Sequence, residues 1–168
     1  MLTQHTYFNL DAFKDPSTSK IWNHTIHMPY SKRYLEAGDD AVPTGKILTA
    51  APMTINDFAS MSMPLGHSIN DPAFAGNCGA GGRCEGYNNY WLIDGAPKDA
   101  VVLTLASPYS GIKAELRTDQ VGAVIYTCNW MDGSGKLKSD QGTTTVSTVG
   151  RSSCIAIEAQ DFPDGINQ

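Results

Sequence analysis

The 168-residue sequence predicts an all-β protein built from antiparallel strands. Ile112, Ala114 and Leu116 alternate with Lys113, Glu115 and Arg117, the period of two expected of a strand buried on one face. Several other short β-branched or apolar runs are each bounded by Gly, Asp, Ser or Pro, the punctuation of strands joined by turns. No window of about twelve residues shows the i, i+3, i+4, i+7 apolar stripe, with caps, of a long helix.

In chain order, residues 23–28 and 45–49 are the weaker strand candidates, and residues 90–95 form an aromatic-rich one ending at the turn formers Asp94 and Gly95. Val101-Val102-Leu103-Thr104-Leu105 is followed by Ser107-Pro108-Tyr109-Ser110-Gly111, a run of turn formers that reverses the chain into the alternating segment 111–117 and so predicts a hairpin. Residues 122–127 and 153–158 complete the strands. The long, glycine-rich stretch from Pro64 to Tyr90 reads as a functional or disordered loop, and Gly133-Ser134-Gly135 and Thr143-Thr144-Thr145 as solvated connectors. With no internal repeat and no shift of composition, residues 1–168 are expected to form a single domain around one core.

A hydrophobic content of 41% allows that core, and a net charge of −5 with interspersed signs offers no basic footprint for nucleic acid or an anionic membrane. No run approaches the roughly eighteen apolar residues of a membrane span. Cys78, Cys84, Cys128 and Cys154 contain no CxxC pair, which argues against structural zinc. A Cys78 to Cys84 bridge would close a short glycine-rich loop, but four reduced thiols are the expectation.

Two residues stand out for chemistry. His5, in Gln4-His5-Thr6-Tyr7-Phe8-Asn9-Leu10, titrates near neutral pH in its ordinary state and can serve as a general acid. Glu158 ends an apolar run, and alternation puts Cys154, Ala156, Glu158 and Gln160 on one face with Ile155, Ile157 and Ala159 on the other. A carboxylate there marks either a site or a solvated edge strand. His24 and His27 lie three apart, on opposite faces of a strand, and so do not share a metal; His67 is expected at the surface. Gly79-Ala80-Gly81-Gly82 lacks the Lys-Ser/Thr ending of a phosphate-binding loop.

Taken together, these segments resemble the aldose 1-epimerase family. Gln4-His5-Thr6-Tyr7-Phe8-Asn9-Leu10 is similar to the family's Asn-His-Thr-Tyr-Phe-Asn-Leu, and Glu158-Ala159-Gln160-Asp161-Phe162-Pro163-Asp164 to its Glu-x-Gln-x-x-Pro-Asp. Between them, Val42-Pro43-Thr44-Gly45 resembles Ile-Pro-Thr-Gly, Asn56-Asp57-Phe58 resembles Phe-Asp-Phe, and Tyr126-Thr127-Cys128-Asn129-Trp130 resembles Tyr-Thr-Gly-Asn-Phe. All five stand in order across nearly the whole chain.

The resemblance implies a partial antiparallel β-supersandwich of the galactose mutarotase type, whose open concave face takes a monosaccharide such as galactose or glucose. It makes His5 the general acid and Glu158 the general base, with no cofactor and no metal. It also implies an ordinary glutamate opposite a histidine raised by the neighbouring negative charge. Tyr7, Phe8, Tyr87 and Trp91 are candidate sugar-stacking aromatics, with core packing the commoner fate of such residues.

Three departures from the family pattern matter. Asn88 stands where the family's Gly-Tyr-Asp places a substrate-binding Asp, so an amide replaces a charged partner of the sugar hydroxyls. Val124 stands where several members carry a Gln. Family members are considerably longer and bring a further His and an Arg to the sugar, so the chain is expected to be an internal piece whose activity depends on what it lacks. Unpaired sheet edges would then invite self-association. The start of the sequence carries no charged and apolar leader, but an internal piece would lack one in either case, so the compartment stays open, with the cytoplasm favoured over a secreted protein whose signal is missing. A non-catalytic carbohydrate-binding module and a truncated product are the competing readings.

Overall fold

The β-branched and aromatic runs become short strands in the computed structural model, which describes residues 3–79, 84–163 and 165. In chain order these are β1 (Tyr7–Phe8), β2 (Thr25–His27), β3 (Arg33–Ala37), β4 (Pro43–Thr49), β5 (Met63–Pro64) and β6 (Asn88–Leu92). The second half adds β7 (Leu103–Ala106), β8 (Lys113–Leu116), β9 (Gly122–Tyr126), β10 (Gly135–Lys136), β11 (Thr148–Val149) and β12 (Ile155–Gln160). Helix is confined, among the described residues, to 3-10 turns such as Pro16–Thr18, capped by Asp15, whose carboxylate accepts from the Ser17 N–H at 2.8 Å.

Six strands form one sheet in the order β1-β12-β9-β6-β3-β4, four form a second in the order β5-β2-β7-β8, and β10 pairs with β11. All these pairings are antiparallel. The two larger sheets share one core. Ile155 and Ile157 of β12, Ile125 of β9 and Trp91 of β6 pack in the same buried cluster as Ile26 of β2 and Leu103 and Leu105 of β7. Fully burying such a side chain contributes about 1.5–3 kcal/mol, so this inner face carries the fold.

The predicted hairpin forms between β7 and β8, with Leu103 opposite Leu116 and Ala106 opposite Lys113. Ile112, expected in the buried set, is instead 52% exposed. The ladder begins one residue later, and Ile112 closes the turn by accepting from the Ser107 N–H at 2.9 Å. β3 was not legible: Arg33-Tyr34-Leu35-Glu36-Ala37 has no clean alternation, and its register with β4 shifts between Leu35 and Ala37.

The stretch from Pro64 to Tyr90 is tied into the body of the molecule. Phe74 and Tyr87 enter the core, Asn77 and Asn56 exchange amide hydrogen bonds at 2.9 and 3.0 Å, and Ala75 bridges to Glu85. Of the glycine run, Gly79 is left-handed (φ 80°) and sits against the Gly38 carbonyl, while residues 80–82 lie outside the described residues. The cysteines correct the expectation of reduced thiols. Cys78 is bonded to Cys84, with Cα atoms 6.1 Å apart, and Cys128 to Cys154, 5.4 Å apart. Sequence spacing hid the second pair because only the pairing of β9 with β12 brings its two ends together.

Candidate active site

The face of the six-stranded sheet turned away from the core is built by the same ladders. Ala156 lies opposite Tyr126, which lies opposite Asn88; Glu158 lies opposite Val124, which lies opposite Tyr90. The alternation expected along β12 therefore holds, with Ile155 and Ile157 in the core and Ala156, Glu158 and Gln160 on the other side. A cleft of about 390 Å³ runs over this face, within the range of small-molecule sites.

His5 reaches the cleft because β1 pairs with β12, placing Tyr7 opposite Ala156. Two residues further back, the antiparallel ladder runs His5 alongside Glu158, and the Thr3 hydroxyl holds the strand there by donating to the Ala159 carbonyl at 2.9 Å. His5 Nε2 lies 3.0 Å from Glu158 Oε1. The imidazole is 46% exposed and the carboxylate only 12%. Burial pushes the Glu158 carboxyl above the usual value, and the adjacent His5 draws it only partly back. The Glu158 carboxyl is thus raised, where an ordinary glutamate was expected. An exposed imidazole loses much of its pull to water, whereas desolvation of the carboxylate is not screened.

Asn88 and Val124 also line the cleft, so the two positions that depart from the family pattern face the same space as His5 and Glu158. Of the four aromatics considered as stacking surfaces, Tyr87 and Trp91 are fully buried and Phe8 packs against the core. Tyr7 alone is at the site, its ring 4.9 Å from that of His5. The aromatics that do line the cleft are Tyr90, Tyr126 and Trp130. The signal for Tyr90 and Tyr126 was register, revealed only when β6 and β9 are aligned with β12; Trp130 follows from the turn after β9, where it stacks on Tyr126. Tyr90 lies across Gly122, where an added Cβ would strike the Tyr90 ring and stand 2.6 Å from the Trp91 carbonyl. Burial and the charge of Asp161 raise the Tyr90 phenol, and burial above all raises that of Tyr126.

The remaining candidates lie elsewhere. His24 is buried, with Nε2 accepting from the Leu10 N–H at 3.0 Å. Burial lowers its titration despite the charge of Asp11. His67 spans two carbonyls, Pro64 O at 2.8 Å and Thr54 O at 3.2 Å. Asp57 organises its loop by accepting from the N–H groups of Met53, Ala59 and Ser60, while Phe58 is core. Among the described residues, no three His, Cys, Asp or Glu side chains gather as a metal would require, and no helix is long and apolar enough to cross a membrane. Asp164, the end of the Glu158 segment, lies outside the described residues.

An imidazole and a partly desolvated carboxylate in contact at the wall of an open cleft can move protons in both directions across a bound ligand. The family model described as aldose 1-epimerase matches residues 1–168. The chain belongs to the aldose 1-epimerase family. It is 30% identical over 190 residues to a probable aldose 1-epimerase of Arthroderma benhamiae, covering 99% of this chain and 41% of that one. It is 26% identical over 168 residues to the galactose mutarotase of Homo sapiens, covering 99% and 42%. The chain thus spans about two fifths of the length of these relatives. The fold is similar to that of an aldose epimerase homologue from C. elegans, with a TM-score of 0.69 at 22% identity over 94% of this chain and 40% of the other. A galactose 1-epimerase from Lactobacillus acidophilus gives 0.67 at 19% identity over 95% and 39%.

Proposed function

We propose that this chain interconverts the α and β anomers of a hexose such as galactose or glucose, with His5 as general acid, Glu158 as general base and Asn88 as a partner of the sugar hydroxyls. The observation that carries the proposal is the 3.0 Å contact between His5 and Glu158 inside a cleft of pyranose-admitting size. The ring oxygen and the anomeric hydroxyl of a pyranose are bonded to the same carbon, so a donor and an acceptor side by side can serve both.

The reaction balances with those two groups. Glu158 takes the proton of the anomeric hydroxyl, the electrons form the C=O bond, the bond from C1 to the ring oxygen breaks, and His5 gives its proton to that oxygen. The bond between C1 and C2 then rotates. Closure runs the same steps in reverse on the other face of the aldehyde, and each residue regains its starting state. A carboxylate raised by burial is a stronger base than a free one, which suits proton abstraction from a weakly acidic hydroxyl. At Asn88 an amide supplies hydrogen bonds without the charge assistance of an Asp.

Polarimetry of freshly dissolved α-galactose and α-glucose tests the reading. The chain is expected to speed the approach to anomeric equilibrium, and His5→Ala or Glu158→Gln each to lower that acceleration by about 10²–10⁴-fold. Substitutions that leave the acceleration intact would refute the assignment.

A further inference from the structure

Thr127, Cys128 and Asn129 are almost wholly buried, and the residue after them, Trp130, is 47% exposed. A single exposed aromatic is ordinary on a protein surface. Three further observations make this one different. Trp130 lines the same cleft as His5 and Glu158. Its indole is stacked on Tyr126 at 5.7 Å and 15°, and its N–H of the main chain donates to the Tyr126 hydroxyl at 3.3 Å. The segment that presents it is also held from several directions. Cys128, left-handed at φ 52°, is bonded to Cys154 at the head of β12, and its carbonyl accepts from the Ser152 N–H at 3.2 Å. Asn129 donates to the Tyr87 carbonyl at 2.8 Å.

We infer that Trp130 is a specificity-determining platform of the site: its free face takes the apolar C–H face of the bound pyranose, while Tyr126 supports the other side. This rests on the sugar-binding part of the proposed function and adds a residue to it. One face of the indole is occupied by Tyr126, so the other is left for a ligand. Because the disulfide joins the platform's base to the strand that carries Glu158, platform and carboxylate are set at a fixed spacing before any sugar arrives, and no ordering cost falls on binding. The sugar's polar edge faces the His5 and Glu158 side, and its hydrophobic face meets the ring. A sugar whose C–H bonds gather on one side of the ring is therefore favoured over one that interrupts that side with hydroxyls.

Trp130 also supplies its own probe. Of the three tryptophans, Trp91 is fully buried and Trp22 packs partly buried against the core, so a sugar in the cleft should perturb the emission of Trp130. The experiment is a fluorescence titration of the chain with galactose, paired with calorimetric titration of the wild type, Trp130→Phe and Trp130→Ala. The expected result is a saturable emission change in the wild type that is absent from both variants, with affinity weakened about twofold in Trp130→Phe and about tenfold in Trp130→Ala. Circular dichroism identifies any variant that has lost its fold, in which case the wild-type emission change decides. Unchanged affinity in Trp130→Ala, or no emission change at saturating galactose, overturns the inference. Binding is read independently of turnover, so the acid/base assignment can fail while the platform stands, and the reverse.

Discussion

Along β12, neighbouring side chains enter opposite environments. Ile155 and Ile157 join Ile125 and Trp91 in a dry core shared with the second sheet, whereas on the other face Ala156 is buried beside Tyr126 and the Cys128–Cys154 bond, and Glu158 and Gln160 face a wet cleft with Asn88, Tyr90 and Tyr126. One face is saturated with apolar contacts. The other holds a carboxylate in contact with an imidazole, where burial works against the charge. The comparison shows how a single ladder separates stability from chemistry: the odd positions secure the sheet, and the even positions can then tolerate a costly group.

The strongest way to break this contrast is at Trp91, which packs among Phe58, Tyr87 and Tyr34 and donates from its indole N–H to the Asn56 carbonyl at 3.2 Å. Trp91→Ala should cost about 3–5 kcal/mol, through the cavity and the carbonyl left unpaired. Urea unfolding followed by circular dichroism measures it. A loss below about 1 kcal/mol would mean that the inner face does not carry the fold as described.

A smaller effect, opposite in sign, is expected at Glu158. Its carboxyl binds a proton more tightly in the folded chain than at its ordinary value of 4.5. Between that value and the raised folded one, the native state holds more protons than the unfolded state, so stability falls as pH rises, and the loss persists above that window. Glu158→Gln has no such titration. Melting curves at pH 4 and pH 7 should therefore show the variant more stable than wild type at pH 7 and the lead closing at pH 4. An equal gap at both would mean that burial does not strain this carboxylate.

Much of the strand content was legible because local pattern determines it: the alternating segment 111–117 and the apolar runs at 122–127 and 153–158 each contain or overlap a strand, β8, β9 and β12. The meeting of His5 with Glu158 was legible only through resemblance, since nothing local in either segment specifies that β1 lies beside β12. Tyr90 and Tyr126 were hidden for the same reason, as their shared face depends on a three-strand register, and Trp130 was hidden because it sits in the turn after β9, placed by its stacking on Tyr126. The Cys128 to Cys154 bond was likewise a product of β9 and β12 becoming neighbours. The raised Glu158 carboxyl depends on how deeply its side chain sits, which composition does not encode.

In the proposed reaction His5 and Glu158 act as one unit on a single sugar. A double-mutant cycle on the anomerisation rate, with His5→Ala, Glu158→Gln and the pair together, tests it most directly. The double variant is expected to lose about as much as the more damaging single one, because removing either partner already disables the unit. Losses that multiply independently, or a single variant with wild-type rate, would contradict it.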